Sequence, residues 1–169
     1  MSYFYRARGV RFGGSGLLGE NMKVAVACDH AGFGLKETVV KTIKELGHKV
    51  VDCGTCGCER VDFPDFAAKA AQLLVKKKAD RAVLICGSGI GMCIAANKVH
   101  GVYACVCHDA YSARQGVEHD NMNALCLGAL VIGKELAAVL IKEFLAARYF
   151  NRGNYKKRVD KIQALEVKF

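Results

Sequence analysis

The chain has 169 residues, of which 52% are hydrophobic and 24% charged, and its net charge is +9. This composition is typical of one globular domain, and no apolar run approaches the roughly 18–20 residues of a membrane span, so no membrane partner is expected. The positive charge favours anionic partners, but no basic–aromatic motif of the usual nucleic-acid modules is present, so no nucleic acid is expected.

Residues 1–21 differ from the rest of the chain. They carry arginines and a glycine-rich stretch, 11–16, but no continuous apolar stretch typical of a secretory signal. The sequence predicts an N-terminal extension over 1–21, disordered in itself, and a single domain over 22–169.

From Met22 onward, buried-strand patterns alternate with helical patterns. The predicted strands are 23–27, 48–52, 81–86, 102–106 and 124–127, and the predicted helices are 35–46, 66–74, 94–97, 109–119, 134–147 and 155–164. Strict alternation of this kind predicts an α/β fold with a parallel sheet and right-handed crossovers.

The nine cysteines argue against a secreted disulfide scaffold. Their number is odd, and several lie inside the strand-like runs 103–107 and 124–126. Free thiols that pack as small apolar side chains fit better, and they predict a cytoplasmic protein.

Reactive side chains follow the predicted strands, at the edge of a parallel sheet where ligands bind. Residues 28–30 (Cys-Asp-His), 86–91 (Cys-Gly-Ser-Gly-Ile-Gly) and 107–109 (Cys-His-Asp) follow strands one, three and four. His119 and Asp120 come just before strand five. All these groups are expected to converge on one edge.

The segment 86–91 carries the sharpest signal. Its three glycines leave backbone N–H groups open at a helix start, where they can bind an oxyanion and favour the thiolate of Cys86. A thiolate beside an oxyanion site suits proton abstraction next to a carbonyl. Met92 breaks the dinucleotide-binding fingerprint, and the Gly-Lys-Ser/Thr ending of a P-loop is absent from the sequence.

Three stretches resemble the type B ribose-5-phosphate isomerases, a family that includes the galactose-6-phosphate isomerase subunits. They are 28–36 (Cys-Asp-His-Ala-Gly-Phe-Gly-Leu-Lys), the run from 54–55 (Gly-Thr) to 61–66 (Val-Asp-Phe-Pro-Asp-Phe), and 86–98 (Cys-Gly-Ser-Gly-Ile-Gly-Met-Cys-Ile-Ala-Ala-Asn-Lys). The resemblance implies a Rossmann-like three-layer sandwich with a five-stranded parallel sheet. It also implies a homodimer, with a tetramer left open, whose active sites lie between subunits and use no cofactor and no metal.

The resemblance implies that the chain interconverts ribose 5-phosphate and ribulose 5-phosphate through a cis-enediolate. Cys86 would be the base, Ser88 would shuttle protons between oxygens, and His119 would open the sugar ring, acting across the dimer. The implied substrate-binding residues are Asp29, His30, Gly87, Gly89, Gly91, Asn97, Asp120 and Arg158.

Several positions depart from the family pattern. Phe63 replaces a common tyrosine, Asp120 replaces an asparagine, and Leu130 and Asn154 occupy positions where the family has phosphate-binding arginines. A hexose phosphate or an unphosphorylated aldose is therefore an alternative substrate. A second alternative is a thiol or metal sensor built on the loop that holds Cys53, Cys56 and Cys58, although its spacing lacks a second ligand pair.

Overall fold

A computed structural model describes residues 21–168. The predicted extension over 1–21 lies outside the described residues, except for Asn21. Five strands alternate with five helices along the described part, and a sixth helix follows the fifth directly. The strands are β1 (Lys23–Cys28), β2 (Lys49–Asp52), β3 (Arg81–Cys86), β4 (Ala104–Val106) and β5 (Ala124–Gly128). The helices are α1 (Phe33–Glu45), α2 (Phe63–Val75), α3 (Ile90–Ala96), α4 (Ala110–Asp120), α5 (Lys134–Ala146) and α6 (Gly153–Lys168).

The strands form one parallel sheet in the order β2-β1-β3-β5-β4. Two apolar layers cover it. Side chains of α1, α4 and α5 pack with Val24, Val83 and Leu125 on one face. Side chains of α2 and α3 pack with Ala25 and Leu84 on the other face of the sheet. The three-layer α/β fold is thus confirmed.

The element boundaries follow local chemistry. Gly47, at φ +83°, ends the turn after α1 in a conformation that suits glycine. Pro64 occupies the first turn of α2, where its missing N–H costs no helical bond. Strand β4 is shorter than predicted because the Val102 amide closes a turn onto Val99, and α6 is longer than predicted at both ends.

None of the helices within residues 21–168 is long and apolar enough to span a membrane.

Candidate active site

Cys86 is the last residue of β3 and lies at the carboxyl edge of the sheet. Its side chain is buried, and its sulfur accepts a hydrogen bond from the Gly89 amide at 3.1 Å. The Ser88 side chain is exposed beside it, and its hydroxyl oxygen accepts a hydrogen bond from the Ile90 amide at 3.3 Å. The turn therefore already aims a backbone donor at the sulfur.

Two glycines of this turn are required by space and conformation. Gly89 has φ +82°, and a Cβ there would lie 3.1 Å from the Leu127 carbonyl carbon. A Cβ on Gly91 would come within 2.9 Å of the Phe63 ring. The chain thus passes close to β5 on one side and to α2 on the other, which fixes the position of Cys86.

Asp29 and His30 follow β1, the strand next to β3, and lie beside Cys86. The Asp29 amide donates to the Ile85 carbonyl, and its buried carboxylate accepts a hydrogen bond from the Gly32 amide at 2.9 Å. The His30 Nδ1 accepts from the Val61 amide at 3.3 Å. We call Asp29, His30 and residues 86–91 the Cys86 edge.

An exposed apolar rim borders the Cys86 edge. Leu130 is 82% exposed, its amide donates to the Gly87 carbonyl, and its side chain lies 3.4 Å from where a Gly87 Cβ would be. Val131, Ile90 and Ile94 are also more than half exposed. The rim is formed by these four residues.

His119 lies at the opposite edge of the sheet, so the expectation that it and Asp120 converge with Cys86 is wrong within one chain. Both belong to the last turn of α4, which leads into the amino end of β5. Cys86 pairs with Gly128, at the carboxyl end of the same strand. At about 3.3 Å per residue, the five residues of β5 put about 13 Å between the two edges.

Aromatic and amide side chains hold the His119 ring. The ring stacks on Tyr155 of α6 at 4.4 Å between centroids, and Phe150 packs against both rings. The Gln115 Nε2 lies 2.8 Å from the His119 Nδ1 and donates to the Asp120 carboxylate at 3.1 Å. We call Gln115, His119, Asp120 and Tyr155 the His119 edge.

Sequence reasoning missed Gln115 and Tyr155. The spacing of Gln115 and His119, four residues apart on one helix, could have indicated the first contact. No local pattern links Tyr155 to His119, because the contact depends on how α6 packs against α4.

The other predicted substrate-binding residues divide between the two edges. Arg158 is exposed on α6, one turn beyond Tyr155. Asn97 follows α3 and bonds both the carbonyl and the amide of Ala104, each at 2.8 Å. It lines a cavity of about 350 Å³ together with Asp120, Gln115 and Cys105, away from Cys86.

Comparisons with known proteins identify the family. The family model described as Ribose/Galactose Isomerase matches residues 24–162. The chain belongs to this family.

Its relatives match over nearly their whole length. Ribose-5-phosphate isomerase B of Escherichia coli (strain K12) is 41% identical, covering 85% of this chain and 96% of that protein. D-erythrulose-4-phosphate isomerase 2 of Mycolicibacterium smegmatis is 38% identical, covering 86% and 97%. The type B ribose 5-phosphate isomerase structure from Trypanosoma cruzi has a TM-score of 0.85 at 37% identity and covers 88% of this chain and 98% of that one.

The loop that holds Cys53, Cys56 and Cys58 does not resemble a metal site. Cys53 packs against the α2 layer, and burial raises its pKa to about 11, while Cys56 and Cys58 are exposed. Within residues 21–168, no group of three or more His, Cys, Asp or Glu side chains is arranged to hold a metal ion. The metal form of the sensor alternative therefore has no set of ligands among the described residues.

Proposed function

We propose that this chain is an aldose–ketose isomerase that interconverts ribose 5-phosphate and ribulose 5-phosphate, with Cys86 as the base. One observation carries the proposal. In a member of the ribose/galactose isomerase family, the Cys86 sulfur sits at the carboxyl edge of the sheet under the Gly89 amide, inside a turn of three glycines.

The chemistry is a proton transfer between adjacent carbons. The Cys86 thiolate takes the proton from C2 of the open-chain aldose, and the electron pair moves toward O1 to give a cis-enediolate. The thiol then returns the proton to C1, while the Ser88 hydroxyl passes a proton from O2 to O1. The amides of Gly87, Gly89 and Gly91 are suited to stabilise the enediolate oxygens. Asp29 and His30 would bind the sugar hydroxyls and the phosphate end of the substrate.

His119 acts before this transfer, on the closed ring. It moves a proton from the anomeric hydroxyl to the ring oxygen, and the Gln115 amide contacts its Nδ1, which leaves Nε2 open to the substrate. Asp120 and Arg158 lie nearby and would bind the substrate, with Arg158 at the phosphate.

A second copy of the chain brings the two edges together in this proposal. Within one chain His119 lies about a strand length from Cys86, and the Cys86 edge carries an apolar rim that water would otherwise cover. In a C2 homodimer the same pair of surfaces meets twice, which completes two sites. A tetramer would add contacts elsewhere. Asn97, bonded to β4, would line the substrate site from the cavity that it shares with Gln115 and Asp120.

The decisive test is turnover of ribose 5-phosphate by the wild-type chain and by Cys86→Ala, both with a chelator present. We expect turnover that survives the chelator and falls about 10²–10⁴-fold in the variant, the usual contribution of a positioned base. Cys107→Ala, which removes a buried thiol from the opposite face of the sheet, is the matched control and should stay active. A folded wild-type dimer without turnover, or an active Cys86→Ala, contradicts the proposal.

The alternative substrates rest on two positions. Leu130 is exposed on the rim and Asn154 on α6, so neither supplies a cation for phosphate. Measuring kcat/KM for ribose 5-phosphate, a hexose 6-phosphate and free ribose on one preparation separates the possibilities. A higher kcat/KM for either competitor would make that sugar the substrate in place of ribose 5-phosphate.

We also propose a cytoplasmic location, because the nine thiols within the described residues are all free. Fractionation of the source cells, followed by detection of the chain, tests this.

A further inference from the structure

Two aromatic side chains from the segment after α5 pack around the ring of His119. The Tyr155 ring is stacked on the imidazole, with 4.4 Å between the centroids and 29° between the planes. Phe150 lies farther from the imidazole, at 5.6 Å and 51°, and meets the Tyr155 ring edge-on at 5.3 Å and 71°. Tyr155 therefore presents its π face to His119, and Phe150 supports the tyrosine ring in that orientation.

The contact in the plane of the His119 ring is made by a different residue. The Gln115 amide lies 2.8 Å from Nδ1 and so sets how the imidazole is rotated. A contact on the face of the ring has another effect, because the electron-rich face of an aromatic side chain attracts a positive charge within about 6 Å of its centroid. Tyr155 lies within this distance, so it stabilises a positive charge that forms on the His119 ring during the reaction.

The proposed ring opening places such a charge on His119. The imidazole takes the proton of the anomeric hydroxyl, the bond from C1 to the ring oxygen breaks, and the imidazolium gives the proton to that oxygen. The open-chain aldose and a neutral His119 remain. Because the charge exists only between the two proton transfers, a group that stabilises it accelerates ring opening and no other step.

We propose that Tyr155 is a positioning residue for ring opening, which stabilises the imidazolium of His119 through its stacked face. This inference rests on the function proposed above. It assigns Tyr155 to one step of the reaction: ring opening needs the tyrosine ring, whereas the proton transfer by Cys86 does not.

Other contacts hold α6 in place without Tyr155. Val159 is buried one turn further along the helix. Near the end of α6, the Glu166 carboxylate accepts a hydrogen bond from the Gly101 amide at 3.1 Å. Removing the Tyr155 ring therefore leaves α6 attached at two points. A defect confined to one substrate would not come from a detached helix.

The experiment compares a closed substrate with an open one. Ribose 5-phosphate is mainly a furanose ring, whereas ribulose 5-phosphate has its carbonyl at C2 and its phosphate on O5 and cannot close a five-membered ring. Consumption of the ketose therefore needs the proton transfer alone, because the released aldose closes in solution. The kcat/KM values for both sugars are measured with the wild-type chain and with variants of Tyr155 and His119.

We expect Tyr155→Leu to lower kcat/KM for ribose 5-phosphate about tenfold and to leave that for ribulose 5-phosphate within about twofold. His119→Ala should show the same split with a larger loss. Tyr155→Phe keeps the aromatic face and should stay within about twofold of the wild type on both substrates. Tyr111→Leu, which removes an exposed tyrosine of α4, is the matched control and should change neither value.

The inference is overturned by equal losses on both substrates in a folded Tyr155→Leu, which would mean that the ring binds substrate or supports the fold. No loss on either substrate, or a Tyr155→Phe as slow as Tyr155→Leu, also overturns it. Where circular dichroism shows that the leucine variant is unfolded, Tyr155→Met gives the same comparison. A wild-type chain that turns over neither sugar contradicts the proposed isomerase instead, so the two failures are distinct.

Discussion

The Cys86 edge and the His119 edge are built in different ways. At the Cys86 edge the main chain does most of the positioning, through the Gly89 amide, the Gly32 amide and glycines at which a Cβ would lie 2.4–3.1 Å from a neighbouring atom. At the His119 edge side chains from α4 and α6 position one another through ring stacking and an amide contact. The first arrangement is local in sequence and rigid, while the second exists only once α6 has packed. Each edge holds only part of the proposed chemistry.

Mixing two inactive variants tests most directly whether the two edges work together. If the edges work across a dimer, Cys86→Ala and His119→Ala chains refolded together should regain about a quarter of wild-type turnover, because half of the dimers are mixed and each mixed dimer holds one complete site. This would exceed either parent by about 100-fold. Activity that stays at the parental level would place both residues of a site on one chain.

The rigidity of the Cys86 edge is tested by Gly89→Ala. The variant combines a left-handed φ of +82° with a Cβ 3.1 Å from the β5 backbone, so the turn must shift. We expect a loss of about 1–2 kcal/mol in the free energy of unfolding and about a 10–100-fold fall in kcat. Gly34→Ala, where a Cβ meets nothing within 4 Å, is the control. Equal effects in both variants would mean that the turn is not constrained.

The reactivity of the cysteine thiols should also differ between the Cys86 edge and the His119 edge. The neighbouring Cys107 thiol lowers the pKa of Cys105 and so favours its thiolate, whereas burial raises the pKa of Cys28 and of Cys53 to about 11. Iodoacetamide at pH 7.5 should modify Cys105 at least about tenfold faster than Cys28 or Cys53. The rate at Cys105 should fall as the pH drops, because the thiolate is lost. Peptide mapping over time measures this, and equal rates would contradict the assigned environments.

Gln115→Ala probes the His119 edge with the smallest expected effect. Losing one hydrogen bond to the His119 ring, worth about 1 kcal/mol, should lower kcat/KM about fivefold without changing stability by more than about 1 kcal/mol. Thr38→Ala, on the distant helix α1, is the control. An unchanged pH–rate profile together with unchanged kcat/KM would remove Gln115 from the site.

The sequence was sufficient for the parts of this molecule that are local. Continuous apolar runs such as 81–86 gave the parallel strands, and the run 86–91 gave the turn around Cys86, because each is specified by neighbours in the chain. The expected convergence of His119 with Cys86 on one edge was wrong within one chain, because His119 precedes β5 and so lies at its amino end. The action of His119 across a dimer stays a prediction. The stacking of Tyr155 on His119 could not be predicted, because it joins α4 to α6 across 35 intervening residues. The substrate roles of the predicted site residues stay predictions.

Asn97 has a further consequence for the solubility of the protein. Strand β4 is at the edge of the sheet, and the residues that flank it, 103 and 107, bond toward β5, which leaves the Ala104 amide and carbonyl facing outward. The Asn97 side chain bonds both groups and so occupies the place of one residue of an additional strand. An incoming chain would have to displace this amide before it could pair with the edge. A single side chain therefore protects the sheet from edge-to-edge aggregation.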